Sequence, residues 1–240
     1  MRILARISYD GSKFLGFQRL ENGQGVQNEL ERVLSILAKK EVVVKGAGRT
    51  DAGVHALDQC VHFDLDLPIS LKKLKYVMNR MLSPYVAVQS LKKVDNDFHA
   101  RFQVKEKTYV YKIYFGKKNP FYKDYAYFFP YALDLEKMQE CARLFLQDHD
   151  FHNFVSGSRD SFQSSIYSIK VKKDLNFITI EVCGKSFYRY MVRSIVGAIL
   201  DVGRGVRTCL EVAEALNTSE EKRFTVVPAE GLYLTKIVYL

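Results

Sequence analysis

The sequence predicts an α+β fold of two lobes, each with the element order β-α-β-β-α-β of a ferredoxin-like unit. Three observations predict it. Short alternating segments, as in strands, interleave with segments whose apolar residues recur at three- and four-residue steps, as in helices. That order runs once to about residue 105 and again after it, which sets the expected lobes at 1–105 and 106–240. The 240 residues are 48% hydrophobic and 26% charged, enough for a substantial core and unlike a disordered chain or a coiled coil. Mainly antiparallel sheets that join, helices on one side and a cleft between the lobes complete the expectation.

The elements follow in order. Residues 2–9 alternate as a strand, and Asp10-Gly11-Ser12 marks a turn. Val26, Leu30, Val33, Leu34 and Leu37 fall on one helical face. Residues 41–45 read as a short strand ended by Gly46-Ala47-Gly48, and 59–65 as another. Leu71, Leu74, Val77, Met78 and Leu82 trace a helix, with Ser70 placed to cap its start. A strand over 85–91 closes the first half, and 94–106 is the expected junction. In the second half, 107–115 alternates strongly. Leu133, Leu135, Met138, Cys141, Ala142 and Phe145 make a helix, and 166–171 with 177–182 a hairpin joined across Lys173-Asp174. A long amphipathic helix is expected from Phe187 to Val202, a shorter one over 210–216, and a closing strand over 232–239. The repetition lies in element order, not in residue-level similarity.

Lysine and arginine outnumber aspartate and glutamate by 36 to 27, a net charge of +9. Such an excess favours a polyanionic partner, because Lys and Arg neutralise phosphates and release counterions. Tyr and Phe are plentiful while Trp is absent. Some aromatics among basic residues would suit stacking on bases, although most belong to the core. Cys60, Cys141, Cys183 and Cys209 are too far apart for a zinc ribbon or a C-x-x-C pair, so free thiols in a reducing cytosol are expected. No apolar run approaches the roughly 18 residues of a membrane helix. Arg2 already sits in a strand-like segment, which argues against a signal peptide and for a soluble, cytoplasmic protein.

The most unusual stretch is Gly46-Ala47-Gly48-Arg49-Thr50-Asp51-Ala52-Gly53-Val54-His55. Its glycines let the backbone approach another group closely or turn with positive φ. It is not a phosphate loop, having no Gly-Lys-Ser/Thr, and Asp51 stands where a dinucleotide fingerprint needs its third glycine. Two readings stay open on the residues alone: a tight turn closed by the Asp51 side chain, or a carboxylate displayed for chemistry. No metal is expected. His55, His62 and His99 are scattered, and His149 and His152, three apart, lie in a loop-like stretch. No serine has the surroundings of an activated nucleophile.

The segment Gly48–His55 resembles the catalytic motif of the TruA family of tRNA pseudouridine synthases. Five further segments resemble that family in order: Tyr9-Asp10-Gly11 with Gly16-Phe17-Gln18, then Asp97-Phe98-His99-Ala100-Arg101-Phe102, Lys107-Thr108-Tyr109-Val110-Tyr111, Met191-Val192-Arg193-Ser194-Ile195-Val196-Gly197, and Pro228-Ala229-Glu230-Gly231-Leu232-Tyr233-Leu234. The resemblance covers essentially the whole chain. It departs at Phe17, where Trp is usual, at Phe187-Tyr188-Arg189-Tyr190, where histidines are common, and in the loop from Arg159 to Tyr167.

The resemblance implies the pseudouridine synthase fold with an RNA-binding cleft between the lobes. It also implies conversion of uridine to pseudouridine at positions 38, 39 and 40 of the tRNA anticodon stem-loop, without cofactor or metal. Asp51 would be the nucleophile, Arg193 its ion-pair partner, and Arg49 the residue that takes the place of the flipped base. Tyr109 would stack on that base and Leu232 form an apolar wall. Lys185 and Arg189, spaced by four with Arg193 at the start of the expected helix, would grip phosphate. Family members are homodimers that bind the anticodon arm across both subunits. The competing expectation is a non-catalytic basic RNA-binding or RNA-folding protein, which leaves the Asp51 loop without a purpose. A hydrolase with an aspartate nucleophile lacks a phosphate-cradling motif and a second carboxylate.

Overall fold

The computed structural model of the protein describes residues 1–158, 161–218 and 220–240. Arg159, where the expected departure of the 159–167 loop begins, lies outside the described residues. The chain forms two compact units, one from Met1–Lys105 with Tyr233–Leu240 and the other from Glu106–Leu232. Sequence order alone groups the last strand with the second half, whereas its contacts group it with the first.

The first unit holds β1 (Arg2–Tyr9), α1 (Val26–Ala38), β2 (Lys45–Gly46), β3 (His55–Asp64), α2 (Leu71–Met81) and β4 (Val86–Val94). Strand β1 lies between β3 and β4, antiparallel to both. It is flanked on both sides, and alternate residues Ile3, Ala5, Ile7 and Tyr9 are buried, which is the pattern its sequence carries. Ser70 caps α2 by accepting from the Lys73 amide, and Leu74 and Met78 bury its apolar face.

Strand β2 is two residues long, shorter than the expected strand over 41–45. Val42 and Val44 are buried, but their amides donate to side chains of α1, Ser35 Oγ and Glu31 Oε1, instead of to a neighbouring strand. The far edge of β3 is therefore shared. Two-residue β2 pairs with it at Val61 and His62, and β10 (Leu232–Tyr239) pairs parallel to it at His55 and Ala56.

The second unit is built on β5 (Val104–Tyr114), β6 (Tyr127–Phe128), α3 (Leu135–Arg143), β7 (Gln147–Asp150), β8 (Gln163–Asp174), β9 (Phe177–Gly184), α4 (Met191–Gly203) and α5 (Cys209–Asn217). Its antiparallel order is β5-β9-β8-β7, with β6 parallel to β5. The β8–β9 hairpin turns at Leu175 and Asn176, two residues later than expected, with Leu175 at φ 47°.

Helix α4 is buried nearly all round, as its apolar sequence requires. It is packed closely enough that a Cβ on Gly197 would lie 1.8 Å from the Thr225 carbonyl oxygen. It starts at Met191, not at 187, because Tyr190 takes a left-handed conformation, φ 65°.

Candidate active site

In the first unit, the segment between β2 and β3 is held from several directions. The Ala47 amide donates to the Cys60 carbonyl at 2.8 Å, and Gln59 Nε2 to the Gly48 carbonyl at 3.0 Å. Thr50 is buried, with its Oγ1 2.7 Å from the Tyr9 hydroxyl. Burial pushes the Tyr9 phenol up to about 12, so it remains protonated at neutral pH. The Phe17 amide donates to the Thr50 carbonyl at 3.1 Å. The Val54 amide donates to the Asp51 carbonyl at 3.2 Å, closing a turn in which Gly53 has φ 81°. That glycine occupies the third position of a type II turn, where positive φ is required.

The C-terminal end of the loop is fixed by His55. The buried ring accepts a hydrogen bond at Nδ1 from the Gly11 amide, 3.1 Å away, and stacks on Tyr233 at 4.6 Å and 19°. Residues 9–17 wrap tightly against the same loop. A Cβ on Gly11 would lie 2.0 Å from the Val54 carbonyl oxygen, and one on Gly16, at φ 110°, 3.0 Å from that of Thr50. Within this fixed backbone Asp51 is half-buried and Arg49 is exposed. The segment can present a carboxylate and a guanidinium, two residues apart, without rearranging.

The expected partners from the second half of the chain lie in the second unit. Tyr109, on β5, is 7% exposed and meets the edge of Phe187 at 5.1 Å. Arg193 stands in the first turn of α4, where its Nε donates to the Val227 carbonyl at 2.6 Å. The guanidinium carbons of Arg189 and Arg193 lie 4.8 and 4.9 Å from the centroid of the Tyr190 ring.

Lys185 and Arg189 do not share a helix face with Arg193. Both precede α4, and Lys185 follows β9 with its amide on the Ser165 carbonyl. Leu232 is buried at the start of β10. Just before it, Gly231 packs on the Tyr111 ring, whose hydroxyl donates to the Pro228 carbonyl at 2.8 Å.

The segment Asp97–Phe102 divides in two. Its backbone is anchored, with the Ala100 amide donating to His62 Nδ1 at 3.0 Å and Arg2 to the Phe98 carbonyl at 3.1 Å. Its end is open, with Phe102 75% exposed and stacked on His99 at 4.2 Å.

Asp51 and Arg49 stand out in the sequence, whereas their supports, Tyr9, Thr50 and Gln59, do not. For Tyr9 and Gln59 the available signal is a polar group at a buried position of a strand otherwise apolar on that face. Among the described residues no group of three or more His, Cys, Asp or Glu could hold a metal ion, and no helix is long and apolar enough to cross a membrane.

A family model described as "tRNA pseudouridine synthase" matches residues 5–103 and 141–239. A tRNA pseudouridine synthase A from Staphylococcus carnosus is 41% identical over 99% of this chain and 90% of its own length. One from Staphylococcus aureus strain MRSA252 is 39% identical, over 99% and 91%. One from Anoxybacillus flavithermus is 39% identical, over 99% and 98%. A chain of a solved Cbf5-Nop10-Gar1 complex aligns at a TM-score of 0.37 and 12% identity, covering 82% of this chain and 45% of that one.

Proposed function

The chain belongs to the tRNA pseudouridine synthase family and is an isomerase of tRNA uridines, and from that premise we propose that Asp51 is its nucleophile. In this reaction the N1–C1′ glycosidic bond of uridine breaks and the uracil turns. A C5–C1′ bond then forms, the C5 hydrogen leaves as a proton and N1 takes one up, so atoms and charge balance. A carboxylate suits the first step, as it can bond to the sugar carbon and leave again. The observation that supports Asp51 is the anchoring of its backbone by the Tyr9–Thr50, Phe17–Thr50 and Val54–Asp51 hydrogen bonds while its side chain stays half-exposed.

Arg193 is the proposed ion-pair partner, a guanidinium that would hold the carboxylate ionised after water is excluded. Arg49 would fill the gap left by the flipped uridine with a planar cation. Tyr109 would stack on the base, Leu232 would wall it, and Lys185 and Arg189 would hold phosphates. The substrate is proposed to be the anticodon arm at positions 38, 39 and 40, bound in the cytoplasm by a homodimer through shape and phosphate contacts. No cofactor is called for, because bond-breaking and bond-making conserve electrons within the substrate.

Tritium release from tRNA carrying [5-³H]uridine tests the nucleophile. Asp51→Asn keeps the turn, since Val54 donates to the main-chain oxygen of residue 51. The expected result is tRNA binding like wild type with release reduced on the order of 10³-fold or more. Release at the wild-type rate from the variant would remove Asp51 from the chemistry.

A further inference from the structure

Residues 67–94 contain six cations, Lys72, Lys73, Lys75, Arg80, Lys92 and Lys93, and no carboxylate. They form α2 and β4, which are clamped into one piece. Asn79 Nδ2 donates to the Val88 carbonyl at 3.0 Å, the Val88 amide returns a bond to Asn79 Oδ1 at 2.7 Å, and Lys75 Nζ donates to the Gln89 carbonyl at 2.6 Å. Lys72, Lys75, Tyr76, Asn79 and Arg80 line an open groove of about 400 Å³ on the helix. Along it Lys72, Tyr76 and Arg80 are spaced by four, and Tyr76 is 67% exposed.

None of the six cations has an ion pair among the described residues, and Glu29, which reaches the end of α2 through the Ser83 amide, is already taken by Arg32. A solvated helix face ordinarily mixes signs, because like charges one turn apart cost a few tenths of a kcal/mol each. Lysines on a sheet edge discourage edge-to-edge pairing, which accounts for Lys92 and Lys93 but not for α2. The cations of α2 have no offset within the fold, so their counter-charge comes from outside. An exposed aromatic ring between two cations fits a nucleic-acid strand, which offers phosphates and ring faces in alternation.

We propose that α2 and β4 form a docking surface for the sugar-phosphate backbone of the tRNA substrate, at nucleotides other than the one isomerised. Lys72 and Arg80, about 12 Å apart along the helix axis, take separate phosphates, and Tyr76 packs on the ribose or base between them. The inference rests on tRNA being the substrate and is independent of which residue is the nucleophile.

The test is a Lys72→Gln/Arg80→Gln variant assayed for tRNA affinity across a salt series and for tritium release. Expected are a Kd and KM raised about tenfold near physiological salt and an unchanged kcat. The plot of log affinity against log salt should be shallower by roughly 1.5, from two lost phosphate contacts. Lys72→Arg/Arg80→Lys keeps the charge and should behave as wild type, whereas Tyr76→Ala should raise KM without changing the slope. Wild-type Kd, KM and slope in the Lys72→Gln/Arg80→Gln variant, with an unchanged Tm, would overturn the proposal. So would intact tRNA affinity together with lost binding to anionic lipid vesicles. If wild type bound tRNA but released no tritium, the reaction would be wrong while the salt slope still decided the docking surface.

Discussion

The hydroxyl of Tyr9 lies 2.7 Å from Oγ1 of Thr50, the residue immediately before Asp51. Both groups are buried, so each satisfies the other away from water. Tyr9→Phe leaves the Thr50 hydroxyl without that partner. We expect a loss of about 1–2 kcal/mol in urea unfolding and a larger fall in kcat than in tRNA affinity. Tyr9→Phe with Thr50→Val removes both polar groups and should recover part of the stability but not the rate.

Gly16 tests how closely the 9–17 segment must approach the loop. Its φ of 110° opposes a side chain, and so does the 3.0 Å that would separate a Cβ there from the Thr50 oxygen. Gly23 shares the positive φ, 75°, but faces open space. Gly16→Ala should cost about 2–3 kcal/mol and most of the activity, and Gly23→Ala about 1 kcal/mol with activity retained. Thermal unfolding and tritium release on the pair separate the backbone cost from the contact cost.

Tyr190 carries two guanidinium groups, those of Arg189 and Arg193, within 5 Å of its ring centroid. Each such contact is worth about 0.5–1 kcal/mol at a partly exposed site. Tyr190→Leu should therefore lower kcat/KM several-fold. Tyr190→Phe keeps the ring, loses only the 3.2 Å bond from Arg189, and should stay within about twofold of wild type. Steady-state kinetics on the two variants make the comparison.

His62 supplies a pH signature. Burial, with repulsion from His99 once it is protonated and from Arg2 adding to it, lowers its pKa from 6.5 to about 4. The folded chain thus keeps His62 neutral, with Nδ1 accepting from Ala100, while the unfolded chain takes up a proton below about pH 6.5. Stability from this group is complete above that pH and is lost as pH falls towards 4. After allowance for solvent screening the change is about 1–2 kcal/mol. Urea unfolding at pH 7 and pH 4.5 should show it in wild type, and His62→Asn, whose amide oxygen can still accept, should show a flatter dependence.

What is legible in the sequence follows what each signal depends on. Strands flanked on both sides, such as β1, and helices with one apolar face, such as α2, carry their period in the residues, and the expected bounds of both agree closely with the observed ones. Residues 41–45 read as a strand, yet the amides of the buried Val42 and Val44 are satisfied by α1 side chains, which no local pattern reveals. Strands β6 and β7, two and four residues long, are too short to show a period. The start of α4 is hidden because the apolar pattern continues through a left-handed Tyr190. At the candidate site, Asp51 and Arg49 stand out by their glycine-rich setting. Tyr9 and Gln59 do not, because a polar atom inside a strand declares its partner only after the chain has folded.

The pairing of β3 with β10 has a consequence for biosynthesis. His55 at the end of the Asp51 loop stacks on Tyr233, and the Ile237 amide donates to Asp58 from 179 residues further along the chain. A nascent chain that has emerged only as far as Lys105 has every other strand of its first unit but not this one. The loop's last anchor is thus supplied only once the chain has been translated through β10. Ribosome-bound fragments that stop short of β10 would carry the Asp51 segment without its full support, and competence for the reaction would arrive only with that strand.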